Sequence, residues 1–546
     1  MAVEKRDDDS VTLIDVLLGR PQIRPALEDQ RRSAAARDAS REPLEGERGQ
    51  RPARQFRPGH VLIPSIAAAV CLSAAVASAD NWPRFRGLHA GAIPDNPALP
   101  ERWSATENVA WKVDVPGLGW SSPIVWDDYI FVTAVVSHDA RPVPGQDIFE
   151  DGKSPSYRGG MQHEFSGLYR WVLYAIDFET GKIRWQRELH AGTPLFKRHP
   201  KNTHASETPV TDGKRVYVFH ASAGLFAVDF TGNIVWSRQV VPPSALEGTR
   251  EGAATKASAV SEPDGDGDIA AMFSHLGAAA SPALHKDRIF VTSDHSPRVW
   301  MMAAYSTADG KQLWRVDIPK QQQAYGWASP FVWENERRTE IIAAGDLRVR
   351  SFDIGGRLLW ELKGLSTNTT PTPFAARGLL YVSSGAPVRP MRPVYAIRPG
   401  AGGDISLKEG ETHNQFVVWS QQTAATYMPS ALVYRDLLYS VYSQGFMTCH
   451  DARTGEQRYG RTRIDPGASG FTASPWAYNG RVFAASEDGD TFVIEAGPEY
   501  KLVGKNSLGE MIIATPAIVR NSLIVRTVGR VYRIADASKR SKSKQK

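Results

Sequence analysis

Three features of this sequence predict an all-β fold, an eight-bladed β-propeller of four-stranded antiparallel blades. One unit of short strands and polar turns recurs eight times. Its basic period is roughly 41–48 residues, enough for four strands and their turns. The last copy lacks an outer strand, and the segment around Trp111, ahead of the first copy, supplies one.

The unit is clearest at Ser281-Pro282-Ala283-Leu284. A Lys286-Asp287 turn follows, then the run Arg288-Ile289-Phe290-Val291-Thr292-Ser293. Ala303-Ala304-Tyr305, the Asp309-Gly310 turn and Trp314 complete it. The second residue of each opening pair falls at 123, 209, 282, 330, 373, 431, 475 and 516. Two wide gaps hold insertions, at about 137–170 and 240–275. The Asp-Gly and Thr-Gly pairs, such as Thr180-Gly181 and Thr454-Gly455, are turn chemistry that supplies positive φ. Trp111, Trp185, Trp236, Trp314, Trp360 and Trp419 are expected to pack in the seams between blades, with Tyr459 replacing Trp in the sixth copy. The eighth unit ends at Val531-Tyr532-Arg533-Ile534. Pairing of Thr106–Val113 beside it would close the ring and remove the exposed sheet edges of an open array.

The propeller is expected over 80–536. Ahead of it, residues 1–60 are rich in Arg, Asp, Glu, Ala and Pro and predict a disordered N-terminal extension. Residues 61–79 read as the hydrophobic region of a signal peptide. Arg51, Arg54 and Arg57 precede it, Ala77-Ser78-Ala79 closes it, and cleavage is expected before Asp80. Pro64 inside the run speaks against a permanent membrane helix, so the expected location is periplasmic or secreted, with no membrane span after cleavage. Formal net charge is +6, from 65 basic and 59 acidic side chains. These are scattered apart from Lys539, Arg540, Lys542, Lys544 and Lys546 in the basic, disordered tail 537–546. Without a basic stripe, nucleic acid is not an expected partner. Of the two cysteines, Cys71 lies in the removed segment and Cys449 in a strand, so no internal disulfide is available.

Ser/Thr-Pro, an aliphatic-aromatic strand, Ala-aliphatic-Asp, Thr-Gly and then Trp resembles the quinoprotein-type propeller repeat. This family includes PQQ-dependent alcohol dehydrogenases and the BamB outer-membrane assembly proteins. The lead-in Asn81-Trp82-Pro83-Arg84-Phe85-Arg86-Gly87 is similar to that of secreted bacterial PQQ-binding-like propellers. The shared residues are structural, so the resemblance implies the fold and leaves the activity open.

Three functions fit. A non-catalytic binding or scaffold protein with a protein partner needs no motif and is preferred. A PQQ-dependent dehydrogenase would hold PQQ with calcium through carboxylate and amide oxygens beside an Asp or Glu base. The adjacent-cysteine disulfide of the dehydrogenases is missing here. The third function is recognition of a glycan or other small molecule. Five residues before the second position of each opening pair stand Leu118, His204, Gly277, Tyr325, Asn368, Thr426, Gly470 and Met511. Three before it stand Trp120, Ser206, Ala279, Trp327, Thr370, Met428, Thr472 and Ile513. Structural positions repeat between blades, whereas these vary. They should ring one mouth of the channel, with Trp120, His204, Tyr325, Trp327 and Asn368 as the candidate ligand-binding residues. Asp264, Asp266 and Asp268 have the spacing of the first half of a calcium loop, but His275 stands where its bidentate Glu belongs, so they form a weak calcium-loop candidate and no metal is assigned. His163 and Glu164 make too poor a ligand set for a metal.

Overall fold

The computed structural model describes residues 81–137, 167–195, 202–240, 277–294, 299–320, 324–385, 391–468, 470–536 and 538. The expectations for 1–79, the calcium-loop aspartates 264, 266 and 268, and the pair His163 and Glu164 lie outside these residues.

The chain forms eight antiparallel sheets in a ring. Blade 1 pairs Ile124–Trp126, Tyr129–Ser137, Tyr169–Asp177 and Ile183–Gly192 in chain order. Blades 2 to 7 repeat that order from innermost strands Val210–Thr211, Ala283–His285, Phe331–Glu334, Phe374–Ala376, Leu432–Tyr434 and Trp476–Tyr478. Blade 8 takes Ala517–Val519, Ser522–Arg526 and Arg530–Ile534 from the end of the chain and Val109–Asp114 from its start. In this closing pair Lys112 lies opposite Tyr532 and Val113 opposite Val531. Each innermost strand starts directly after a position that the repeat marked.

Burial explains why the strands read as they do. Middle strands are covered by blades on both sides, so Arg288–Ser293 is buried along nearly its whole length and carries the consecutive apolar run Ile289-Phe290-Val291. Outer strands meet solvent on alternate residues, as in Gln312–Pro319.

Two sets of contacts stitch the seams. The first runs around the channel. Ser122 N–H donates to Thr208 Oγ1 (2.9 Å), Thr208 N–H to Ser281 Oγ (2.8 Å) and Ser281 N–H to Ser329 Oγ (2.9 Å). The belt continues through Thr372, Ser430 and Ser474 to Thr515. The opening Ser/Thr of blades 2 to 8 is therefore an acceptor for the preceding blade. The second set is peripheral. The indole N–H groups of Trp111, Trp185, Trp236, Trp314 and Trp419 donate to carbonyls of Phe178, Phe230, Thr307, Ile354 and Ala452 in the next blade, at 2.9–3.0 Å. Each ring also covers the turn glycine of that blade. At Gly455 (φ 74°) a Cβ would stand 2.6 Å from the Trp419 ring. The glycine thus meets two demands, positive φ and room for an indole. Gly455→Ala should cost about 2–4 kcal/mol in denaturant unfolding, adding backbone strain to overpacking. Gly402→Ala, with nothing within 4 Å of the new methyl group, should be neutral, and equal losses at the two sites would refute the seam explanation.

Trp360 keeps its place in the seam between blades 4 and 5 but not its partner. Its indole donates to Glu340 Oε2 of its own blade (2.6 Å). Blade 5 offers no Thr-Gly turn there, because the chain leaves its third strand, Val394–Ile397, and pairs Gly403–Asp404 in parallel with the outer strand of blade 4, Leu358–Lys363.

The lead-in crosses the channel. Trp82 bridges Val125 of blade 1, and the Pro83 carbonyl accepts from Thr211 N–H of blade 2 (3.0 Å). Arg86 Nη2 then donates to the Ala431 carbonyl of blade 6 (2.6 Å), with its guanidinium 5.2 Å from the Phe374 ring centroid of blade 5. Blades 2 and 6 stand opposite each other in an eight-membered ring, so the segment passes over the axis. It continues along Ala477 of blade 7, ties Asp95 to Tyr434 and Arg435, and ties Asn96 to Asn479 and Asn521 before reaching the closing strand. Several of these partners lie at the hairpins joining first and second strands. We call that side of the ring the lower face and the side where the innermost strands begin the upper face. The lead-in fills the lower end of the channel, and Arg86 reaches up to where the innermost strands of blades 5 and 6 begin.

Candidate functional site

The upper face carries the five residues singled out from the sequence, in two groups. Trp120 and His204 meet where blades 1 and 2 begin: Trp120 N–H donates to the Ala205 carbonyl (3.0 Å). The His204 carbonyl accepts from Trp171 Nε1 (2.7 Å), and its ring lies edge-on to Tyr169. Tyr325, Trp327 and Asn368 meet where blades 4 and 5 begin, because Tyr325–Gly326 pairs in parallel with Asn368–Thr369. Trp327 N–H donates to the Thr369 carbonyl (2.7 Å), and its indole reaches back to the Gly277 carbonyl of blade 3 (2.7 Å). Asn202 Nδ2 bonds the Ala278 carbonyl (3.1 Å) and joins the two groups into one arc. Trp327 is half-buried and the other four are buried. Among the described residues, Asn368 Nδ2 and Thr369 Oγ1 in the arc are buried without a hydrogen-bond partner.

The upper face also holds charge that sequence reading missed. Glu207 and His220 form a buried pair at 2.8 Å (Oε2–Nδ1). Asp346 pairs with Arg350 at 2.8 Å, and Asp294 with the fully buried Lys320. Burial pushes the Asp294 carboxyl up to about 7, against the opposing pull of Lys320. Arg526 donates to the carbonyl and hydroxyl of Ser121, and burial lowers its basicity to about 9. A signal for two of these was available. Two residues before the second position of each opening pair the blades carry Ala or Pro, except for Ser121 and Glu207. Cys449 is fully buried, and burial pushes its thiol up to about 12, which removes it as a nucleophile at neutral pH.

A quinone held with a divalent cation needs convergent carboxylate and amide oxygens. Here Asp294 and Asp346 each face a cationic side chain of the protein, Glu207 faces His220, and Glu487 accepts from Thr472 Oγ1 (2.7 Å). Among the described residues no three His, Cys, Asp or Glu side chains come together as a metal site. These residues do not fit that group.

A family profile described as "Outer membrane protein assembly factor BamB" matches residues 169–461, the greater part of the chain. The chain belongs to this family of PQQ-like propellers. Among solved structures, a quinohemoprotein alcohol dehydrogenase from Comamonas testosteroni has the BamB-type ring at 12% identity and TM-score 0.50, with 85% of this chain and 81% of that one covered. BamB from Moraxella catarrhalis matches at 12% identity and TM-score 0.44, over 68% of this chain and 92% of that one. Identities this low speak for the fold alone. No curated protein matches this BamB-type chain.

Proposed function

We propose that the chain is an extracytoplasmic, non-catalytic binding or scaffold propeller that works through the upper mouth and the two loop insertions. The observation that carries this reading is the asymmetry of the channel. The chain's own lead-in covers the lower end, so the upper face is the one left to receive a partner. Membership of a family described as an outer-membrane protein assembly factor supports a protein partner. The signal-like run over 61–79 supports a periplasmic or secreted location. Among the described residues no helix is long and apolar enough to cross a membrane. Asn368 Nδ2 and Thr369 Oγ1 beside Tyr325 and Trp327, buried and unpartnered among the described residues, favour a second reading, a glycan or other small polar ligand in the same arc.

Purified protein titrated with PQQ and calcium should give no stoichiometric complex by absorbance and no dye-linked alcohol oxidation. A one-to-one complex with turnover would establish the dehydrogenase instead. Co-purification from an extracytoplasmic extract, with glycan arrays alongside, tests the mouth. Trp327→Ala should fold and lose whatever the wild type retains, whereas Leu88→Ala, at an exposed site on the lead-in, should keep it. Equal retention by both variants rules the mouth out.

A further inference from the structure

Several outer-strand cations in this ring are neutralised within the protein: Arg315 pairs with Asp317 (2.8 Å), Lys363 with Asp404 (2.7 Å) and Lys505 with Asp490 (3.0 Å). Lys112, Arg187 and Arg238 form no ion pair among the described residues; Lys112 lies over the Tyr532 ring and the two arginines donate to carbonyls. The outer strand of blade 6, Gln457–Arg463, carries two such arginines side by side at its upper end. Arg458 is paired with Asp451 (2.8 Å). Arg461 and Arg463 are exposed, and neither forms an ion pair with a carboxylate among the described residues. They are held by aromatic faces. The Arg461 guanidinium lies 4.9 Å from the Tyr442 centroid and 4.7 Å from that of Phe446, and Arg463 lies 5.0 Å from Phe446. Arg463 Nη1 also donates to the Gln444 carbonyl (2.8 Å). Arg392 of blade 5 stands close by: burial lowers its basicity, and the charge of Arg461 lowers it further. Arg461 and Arg463, held together on aromatic planes with no carboxylate partner among the described residues, form an anion-recognition arrangement.

Blade 4 shows what such an edge can accept. There Gly403–Asp404 lies parallel to the outer strand, with Gly403 opposite Trp360 and Asp404 opposite Glu361. Asp404 Oδ2 takes Lys363 Nζ at 2.7 Å, and Ser406 Oγ takes Lys363 N–H at 2.9 Å. Lys363 lies opposite Arg348, the first residue of the third strand of its blade, and Arg463 lies opposite Phe446, the first residue of the third strand of blade 6. Arg463 therefore occupies the place of Lys363. The sheet of blade 6 ends at this strand, with no fifth strand beside it among the described residues.

We propose that the upper end of the blade 6 outer strand is a docking edge for an extended acidic segment of a protein partner, which adds a strand there as Gly403–Asp404 does on blade 4. Arg461 and Arg463 are two apart on one strand, so their side chains share a face at a spacing of about 6.5–7 Å. Carboxylates on alternate residues of an extended peptide have the same spacing. Main-chain pairing supplies affinity and the two guanidiniums choose an acidic sequence.

The docking edge rests on the reading of the chain as a binding propeller and is tested separately from it. A short fluorescein-labelled peptide of alternating Asp and Ser, titrated into the whole protein by anisotropy, should bind saturably and weaken as ionic strength rises. The exposed double variant Arg461→Glu/Arg463→Glu should weaken it about tenfold or more, and Lys311→Glu on blade 3 should not. The inference fails if an alternating Asn and Ser peptide binds equally well, or if the double variant binds like the wild type. It also fails if phosphatidylglycerol vesicles bind through these arginines and the peptide does not. Should the peptide fail while Trp327→Ala still loses a captured partner, the docking edge falls and the binding reading stands.

Discussion

Glu340→Ala is expected to cost about 3–5 kcal/mol in denaturant unfolding, among the largest losses from any single side chain of the ring. Glu340 is fully buried in blade 4, where it anchors Trp360 at the seam with blade 5. Its carboxylate accepts from Trp360 Nε1 (2.6 Å), Ser351 Oγ (2.6 Å) and Asn335 Nδ2 (3.0 Å), and Arg338 Nε stands 3.2 Å away. Truncation would strand these donors in a dry interior, where each unmade bond costs about 1–3 kcal/mol before relaxation. Glu340→Gln keeps the shape and part of the acceptor capacity, and should lose less. A loss below about 1 kcal/mol for the alanine variant would show that this seam is held by apolar packing instead.

Trp111→Ala is expected to cost about 3 kcal/mol, and its effect should be local as well as global. Trp111 sits on the closing strand. It donates to the Phe178 carbonyl of blade 1 (2.9 Å) and covers Gly181, where a Cβ would stand 2.6 Å from its ring. Its removal loosens the contact of the closing strand with the next blade. Amide exchange should therefore rise first along Val109–Asp114 and Arg530–Ile534, and later in blade 3. Uniform acceleration around the ring would mean that the closing strand is no weaker than any other.

The parts of this fold that were legible in the sequence are those that occur many times. Ser/Thr-Pro, the middle-strand runs and the Trp with its Thr-Gly turn face the same surroundings in each blade, so the same physics selects the same residues. The closing strand was legible because Trp111 repeats the pattern of Trp185 and Trp236. Features that occur once left little trace. The lead-in joins Arg86 to Ala431 across the axis, a pairing of distant residues with no local period. Glu340 takes over a role that a glycine turn plays at other seams, and the acidic strand at Asp404 lies in what reads as a plain loop. At the upper mouth the variation between blades was visible, and it pointed to Trp327 and Asn368. Glu207 breaks the Ala/Pro pattern of its position, but its partner His220 and the pair Asp294 and Lys320 carry no such mark in the sequence. The partners, 13 and 26 residues apart, meet only when strands of one blade are laid side by side.

Blade 8 is assembled from both ends of the ring. Residues 109–114 leave the ribosome early and must wait for 530–534 before their hydrogen bonds can be made. Until then the growing protein is an open spiral with a bare edge at each terminus, the condition in which β-structure associates with its neighbours instead of itself. The same delay gives the molecule contacts of long sequence separation, which slow the final step of folding. A propeller built this way depends on whatever keeps its first strand from pairing elsewhere until synthesis is complete.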